Sequence, residues 1–308
     1  MTYAVQTKDL RKQYKTTLAV DNINLNIPEG VCCGFLGKNG AGKTTTIRML
    51  VGLLPPTAGS MSIMGEERCY GKQGTPSFGY LPDVPNFYGY MTGGEFLQLC
   101  AKLCNIAEPE RSKRVKELLE IVGLGKARSR ISGYSRGMKQ RLGIAQALIN
   151  KPPVIFMDEP ISALDPIGRR DVADIIRSLK GTTIVLSTHI LADVEDICDY
   201  ALIIEKGKIL EQDYLANLKE KYAVGSAKVR LYSVEDAEIL IAAAKQVSIS
   251  FEKNEIRPQE VLLKSEDGDV KELTRKITGL LHTNNIICEF FGAHTPTLED
   301  IFYKAIAV

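Results

Sequence analysis

The run Gly37-Lys38-Asn39-Gly40-Ala41-Gly42-Lys43-Thr44 follows the spacing G-x-x-x-x-G-K-[ST]. Glycines at these places let the backbone turn with its N–H groups inward, and a helix start just beyond adds partial positive charge, so the loop suits a polyphosphate. Lys43 supplies a mobile cation to the β- and γ-phosphates of a nucleotide, Thr44 offers a hydroxyl to Mg2+, and the cradle runs on to Thr45. Farther along, Asp158 and Glu159 stand together at the end of the apolar run Val154-Ile155-Phe156-Met157. Successive residues of a strand point to different faces, which separates their tasks. Asp158 reaches Mg2+ through its water shell, while Glu159 polarises a water for in-line attack on the γ-phosphate. Ser135 and Gly137 open a helix whose N–H groups can meet an anionic phosphate, although Ser135 also reads as an ordinary N-cap. His189 follows the apolar run at 182–188 and so lands on the same sheet edge as Asp158; a lone His after a strand is also a common structural residue.

Periodicity shows which elements must carry these residues. From Thr2 to about Ile63 the pattern is strand-like, with Ile23, Leu25 and Ile27 alternating ahead of a turn at Pro28-Glu29-Gly30. Residues 31–36 read as a fully buried strand and 44–54 as a helix, so the glycine-rich loop lies between strand and helix, as phosphate binding requires. The segment 92–149 is predominantly helical: Thr92 and Glu95 form a capping-box pattern ahead of Phe96, Leu99, Cys100 and Leu103. A second helix is expected over 110–122 and a third from near Ser135. Two short buried strands, 153–159 and 182–189, flank a helix expected over 167–179. Strands alternating with helices imply an α/β fold with a mostly parallel sheet. Past about Leu215 the character changes. A linker is expected over 215–228, then strands at 228–233, 260–265 and 286–291 and helices at 234–245, 270–284 and 297–306. That pattern describes a small α+β domain.

Composition narrows the function classes. The chain has 308 residues, 44% hydrophobic and 25% charged, enough for two domains with sizeable cores. Its net charge of +2 spreads over 39 basic and 37 acidic residues, without the basic excess of a duplex-binding face, so no nucleic-acid partner is expected. No apolar run is long enough to cross a bilayer, and the first residues lack the apolar core of a signal peptide. We therefore expect a cytoplasmic protein whose membrane role, if any, comes through a partner. The seven cysteines show no paired C-x-x-C spacing, and Cys32, Cys33, Cys100 and Cys104 sit in apolar stretches, which marks them as reduced core residues.

The phosphate loop alone leaves kinase, GTPase, helicase and transporter open. GTP is disfavoured because no N-K-x-D follows; the chain has only Asn150-Lys151-Pro152-Pro153. The loop, then Tyr134-Ser135-Arg136-Gly137-Met138-Lys139-Gln140-Arg141, then the Asp158-Glu159 strand, then Ser187-Thr188-His189, taken together resemble an ATP-binding cassette (ABC) ATPase. Residues 2 to about 215 carry the resemblance. Its signature block, usually LSGGQ, here keeps Ser135 and Gly137 but departs at Tyr134, Arg136 and Met138, and YS-x-GM-x-QR is similar to the export-associated ABC-2 branch.

That resemblance implies a P-loop NTPase core with a RecA-like parallel sheet, an antiparallel β subdomain and a helical subdomain at about 92–149, all within 1–215. The carboxyl-terminal α+β domain, 216–308, would be an accessory. It also implies ATP and Mg2+ as cofactors, and a head-to-tail dimer, with itself or a paralogous ATPase, in which Ser135 and Gly137 face the γ-phosphate held by the other subunit. A separate transmembrane permease would be the driven partner and would hold this chain at the inner face of the cell membrane. By the same resemblance His189 is the switch histidine that orients Glu159 and water, Asp165 belongs to the D-loop between the two sites, and Tyr14 stacks on adenine. Where the family usually places a glutamine, this chain has Asp83, a candidate metal ligand that adds negative charge near the phosphates. The loop from Val84 to Gly93 is expected to touch the permease. Two other readings compete: a non-transport ABC machine acting on nucleic acid or ribosomes, which tends to carry long insertions or two cassettes, and a regulatory nucleotide-binding module without turnover.

Overall fold

The computed structural model describes residues 2–71, 77–162, 164–223, 225–254, 257–265 and 269–307. They form two compact units, residues 1–215 with 305–308 and residues 216–304.

In the first unit, β1 (Tyr3–Tyr14), β2 (Thr17–Ile23) and β3 (Asn26–Pro28) precede β4 (Cys32–Leu36), which runs into α1 (Lys43–Leu50). Next come β5 (Ala58–Ile63), β6 (Glu66–Glu67), β7 (Phe78–Leu81) and the helices α2 (Gly93–Leu103), α3 (Glu110–Ile121) and α4 (Arg136–Ala147). After them β8 (Val154–Asp158), α5 (Pro166–Ser178), β9 (Thr183–Thr188) and α6 (Leu191–Ile197) alternate, and β10 (Tyr200–Glu205) and β11 (Lys208–Tyr214) close the unit. The β1, β2, β3, β5 and β6 strands pair antiparallel in one sheet. The second sheet runs β11-β10-β4-β9-β8-β7 and is parallel except for β11.

That second sheet positions the chemistry. Asp158 pairs with Ser187 and Leu36 with Thr188, so the loop after β4, the carboxylates ending β8 and the histidine after β9 all leave at the same carboxyl edge, where open parallel sheets bind ligands. Parallel strands covered on both faces must be apolar throughout. Val154, Ile155, Phe156 and Met157 are wholly buried, as are Leu36 and Leu186; each such large side chain contributes about 1.5–3 kcal/mol. Residue Cys32, read as part of a fully buried run, is only half-buried. All seven cysteines are free thiols.

The helices begin where local chemistry starts them. Thr92 caps α2 in a reciprocal capping box with Glu95. Ser135 caps α4 by accepting from the Met138 N–H at 3.2 Å. Asp165 caps α5, with Pro166 in its first turn.

The second unit holds most of α7 (Leu215–Tyr222), then β12 (Ser226–Leu231), α8 (Val234–Gln246), β13 (Ser250–Lys253), β14 (Glu260–Lys264), α9 (Val270–Thr283), β15 (Cys288–Ala293) and most of α10 (Leu298–Ala307). Its antiparallel sheet runs β13-β14-β12-β15, and Val229, Val261 and Leu263 pack with Leu240 and Ile277 of α8 and α9. The expected linker over 215–228 is instead α7 followed by the start of β12. Leu215 and Leu218, one helical turn apart, are buried, and that stripe outweighs the polar residues around it. Strands β10, β11, the two-residue β6 and the short, mostly exposed β13 escaped the sequence pattern.

Candidate active site

The loop after β4 is shaped by glycine where no other residue fits. Gly40 and Gly42 have φ of 83° and 113°, in the left-handed region. A Cβ on Gly37 would lie 2.5 Å from the Ile204 carbonyl oxygen of β10, and one on Gly42 would lie 2.7 Å from that of Ala19. The loop is thus pressed between β10 and β2, and it borders one cleft together with the start of α1.

Asn39, Gly40, Gly42, Lys43, Thr44, Thr45, Asp83, Glu159 and His189 line that cleft of about 350 Å3, together with Ala19 and Ser162. Lys43 is buried, and its Nζ donates to the carbonyls of Gly37 at 2.6 Å and Lys38 at 3.3 Å. It also lies 3.8 Å from Glu159 Oε1. Burial draws the Lys43 ammonium below its ordinary pKa, while the carboxylates of Glu159 and Asp158 oppose that shift.

Asp158 sits behind the cleft wall, 1% exposed. Its Oδ1 accepts from Thr44 Oγ1 at 3.0 Å and from Ser187 Oγ at 2.6 Å. The Glu159 N–H in turn donates to Ser187 Oγ at 3.0 Å. Glu159 has φ of 50°, unusual for a residue with a Cβ. Its carboxylate meets His189 Nδ1 at 3.0 Å through Oε2, and its carbonyl accepts from Ser162 Oγ at 3.0 Å. The two carboxylates therefore do different things: one is buried against Thr44, the other faces the cleft with a histidine. Burial, reinforced by the Asp158 and Asp83 charges, raises the pKa of nearby Tyr80, with a bond to Arg48 acting the other way.

Other residues of the expected set lie elsewhere. Lys38 and Ala41 belong to the same loop, joined by an N–H to carbonyl bond of 3.1 Å. Tyr14 ends β1, is 44% exposed with Lys12 Nζ 5.2 Å from its ring centroid, and does not line the cleft. Ser135, Gly137 and Asp165, all at helix starts, do not line it either. Sequence reasoning missed Ala19, Ser162 and Ser187 as site residues. Only Ser187 left a signal, its place directly before Thr188-His189.

Comparison with known proteins identifies the family. The family model for ABC transporters matches residues 20–162. The chain is 45% identical over 308 residues to the uncharacterized ABC transporter ATP-binding protein YxlF of Bacillus subtilis (strain 168), covering 97% of this chain and 98% of that one. It is 42% identical over 316 residues to the bacitracin transport ATP-binding protein BcrA of Bacillus licheniformis, covering 99% and 98% respectively. Among solved structures, an ATP-binding subunit of an ABC transporter matches with TM-score 0.63 and 31% identity over 71% of this chain and 93% of that one. The post-hydrolysis dimer of the ATP-binding cassette MJ0796, bound to ADP and phosphate, matches with TM-score 0.61 and 27% identity over 68% and 98%. Near-complete coverage of its relatives, and a phosphate loop and carboxylate strand placed as the sequence requires, make this chain a member of the ABC transporter ATP-binding protein family, an ATPase subunit with a P-loop NTPase fold.

Proposed function

We propose that this ATPase powers export, pairing head to tail with a second copy or a paralogous ATPase and driving a separate transmembrane permease from the cytoplasmic face of the cell membrane. The hydrolytic part of this reading is carried by one observation: Glu159 meets His189 at 3.0 Å in the cleft that Lys43 and Thr44 also line. Glu159 takes the proton of the attacking water, and His189 holds Glu159 and reaches toward the γ-phosphate. Lys43 exchanges the carbonyls of its own loop for phosphate oxygens.

Thr44 and Asp158 place two hard oxygens 3.0 Å apart, and these residues would hold Mg2+ beside the nucleotide phosphates. Among the described residues no group of three or more His, Cys, Asp or Glu forms a cage for another metal. When bound, Mg2+ would neutralise charge on the β- and γ-phosphates. Asp83, on the same cleft, is the further candidate ligand. Tyr14 is assigned to the adenine face, and Ser135, Gly137 and Asp165, which stand away from the cleft, to the nucleotide of the facing subunit.

Support for export comes from near full-length identity to proteins named for bacitracin transport in Bacillus licheniformis and Enterococcus faecalis. No helix among the described residues is long and apolar enough to cross a membrane. ATP turnover tests the hydrolytic assignment: Glu159→Gln should lower it by about a hundredfold or more under conditions that favour pairing. Equal turnover in wild type and variant would overturn it.

A further inference from the structure

The two helices that follow the catalytic segments are fastened to each other at two points. Near the cleft, Arg169 in α5 donates from Nη2 to Asp193 Oδ1 in α6 at 2.8 Å. At the far end, Arg177 bonds Asp174 at 2.7 Å, the Asp196 carboxylate, and the Asp196 carbonyl at 3.3 Å. The near fastening is built differently from the far one. The Asp193 side chain is 14% exposed, and its second oxygen, Oδ2, is buried with no hydrogen-bond partner among the described residues. A carboxylate so shielded leans on the cation beside it, because little solvent reaches it to take that cation's place.

What the near fastening joins matters. Arg169 lies one turn into α5, and its N–H bonds the carbonyl of Asp165, the cap of that helix, at 2.9 Å. Asp193 stands in the first turn of α6, where its N–H bonds the Ile190 carbonyl at 3.3 Å. Ile190 follows His189 directly, and α6 starts without a side-chain cap. A closed circuit results: Glu159 to His189 by their contact, His189 to Asp193 along the chain, Asp193 to Arg169 by the ion pair, and Arg169 to Asp165 within α5. Asp165 leads back to Glu159 along the chain.

We propose that Arg169 is a positioning residue for ATP hydrolysis, holding His189 in place on Glu159 through Asp193, so that a displacement of Asp165 reaches the histidine. The proposal rests on the reading of Glu159 and His189 as the hydrolytic pair. Arg169 touches neither, and a shift of about 1 Å in a group so placed is enough to cost up to about a hundredfold in rate.

The test measures steady-state ATP turnover of the full chain with Mg2+ in six variants. Arg169→Ala and Asp193→Asn should each lower kcat by about tenfold with the KM for ATP within about twofold of wild type. Arg177→Ala, which loosens the same two helices at the far end, should leave kcat within about twofold. Arg169→Asp combined with Asp193→Arg should recover part of the lost turnover. In a His189→Ala background, Arg169→Ala should lower turnover by less than a further twofold or so, because the two act as one unit. Equal losses in Arg169→Ala and Arg177→Ala, a rise in KM alone, or full additivity with His189→Ala would overturn the proposal. Loss of turnover in His189→Ala with none in Arg169→Ala would reject the positioning role alone, whereas wild-type turnover in His189→Ala would remove the hydrolytic pair beneath it.

Discussion

Glu159 adopts a backbone conformation that costs about 1–3 kcal/mol for a residue with a side chain, and the Ser187 hydroxyl and carbonyl hold it there by accepting from its N–H. The strain separates two neighbouring carboxylates. Asp158 continues β8 into the buried contact with Thr44 and Ser187, while Glu159 leaves the strand and meets His189. Lys43 is the cation both share: burial lowers its pKa, and the two charges oppose that. With no other lysine or arginine lining the cleft among the described residues, removal of this ammonium should be costly. Lys43→Ala is expected to weaken ATP binding by ten- to a hundredfold or so, the equivalent of about 1.5–3 kcal/mol for a hydrogen bond to a charged group. Equilibrium titration with a fluorescent ATP analogue would check this, and unchanged affinity would count against the phosphate-loop assignment.

Elements meet in this fold through residues with no side chain in the way. A Cβ on Gly79 of β7 would lie 2.2 Å from the carbonyl oxygen of Ala147, the last residue of α4. Helix α4 carries Ser135 at its other end, so this backbone contact fixes where the signature block points. Gly79→Ala should force the strand and helix apart and destabilise the protein by about 1–3 kcal/mol, read as a lower urea midpoint; an unchanged midpoint would mean that α4 moves freely on β7. Helices α2, α4 and α5 were legible from local chemistry. The capping box at Thr92, the Ser135 cap, and the Asp165-Pro166 start of α5 depend on residues within one turn of one another. Helix α7 was not, because its two buried leucines stand among polar residues that read equally well as a linker.

Across the whole molecule, the residues expected to contact nucleotide divide between the cleft with its loop, the starts of α4 and α5 away from it, and Tyr14 at the end of β1. Head-to-tail pairing would reunite the first two. Size-exclusion chromatography of Glu159→Gln with MgATP is expected to show a dimer that wild type shows only transiently, and elution as monomer alone would reject the sandwich. The family and the nucleotide chemistry were determined by sequence, because the phosphate loop, the carboxylate pair and the signature block each depend on spacings within a few residues, which local backbone geometry reads directly. The order β4-β9-β8-β7 was decided by tertiary structure, since buried parallel strands share one apolar pattern and carry no mark of their neighbours. From that order came the contact of Glu159 with His189, the place of Asp83 on the cleft, the role of Ser187 and the pairing of Arg169 with Asp193. Each joins residues distant in the chain, at distances that only the packed sheet and helices set.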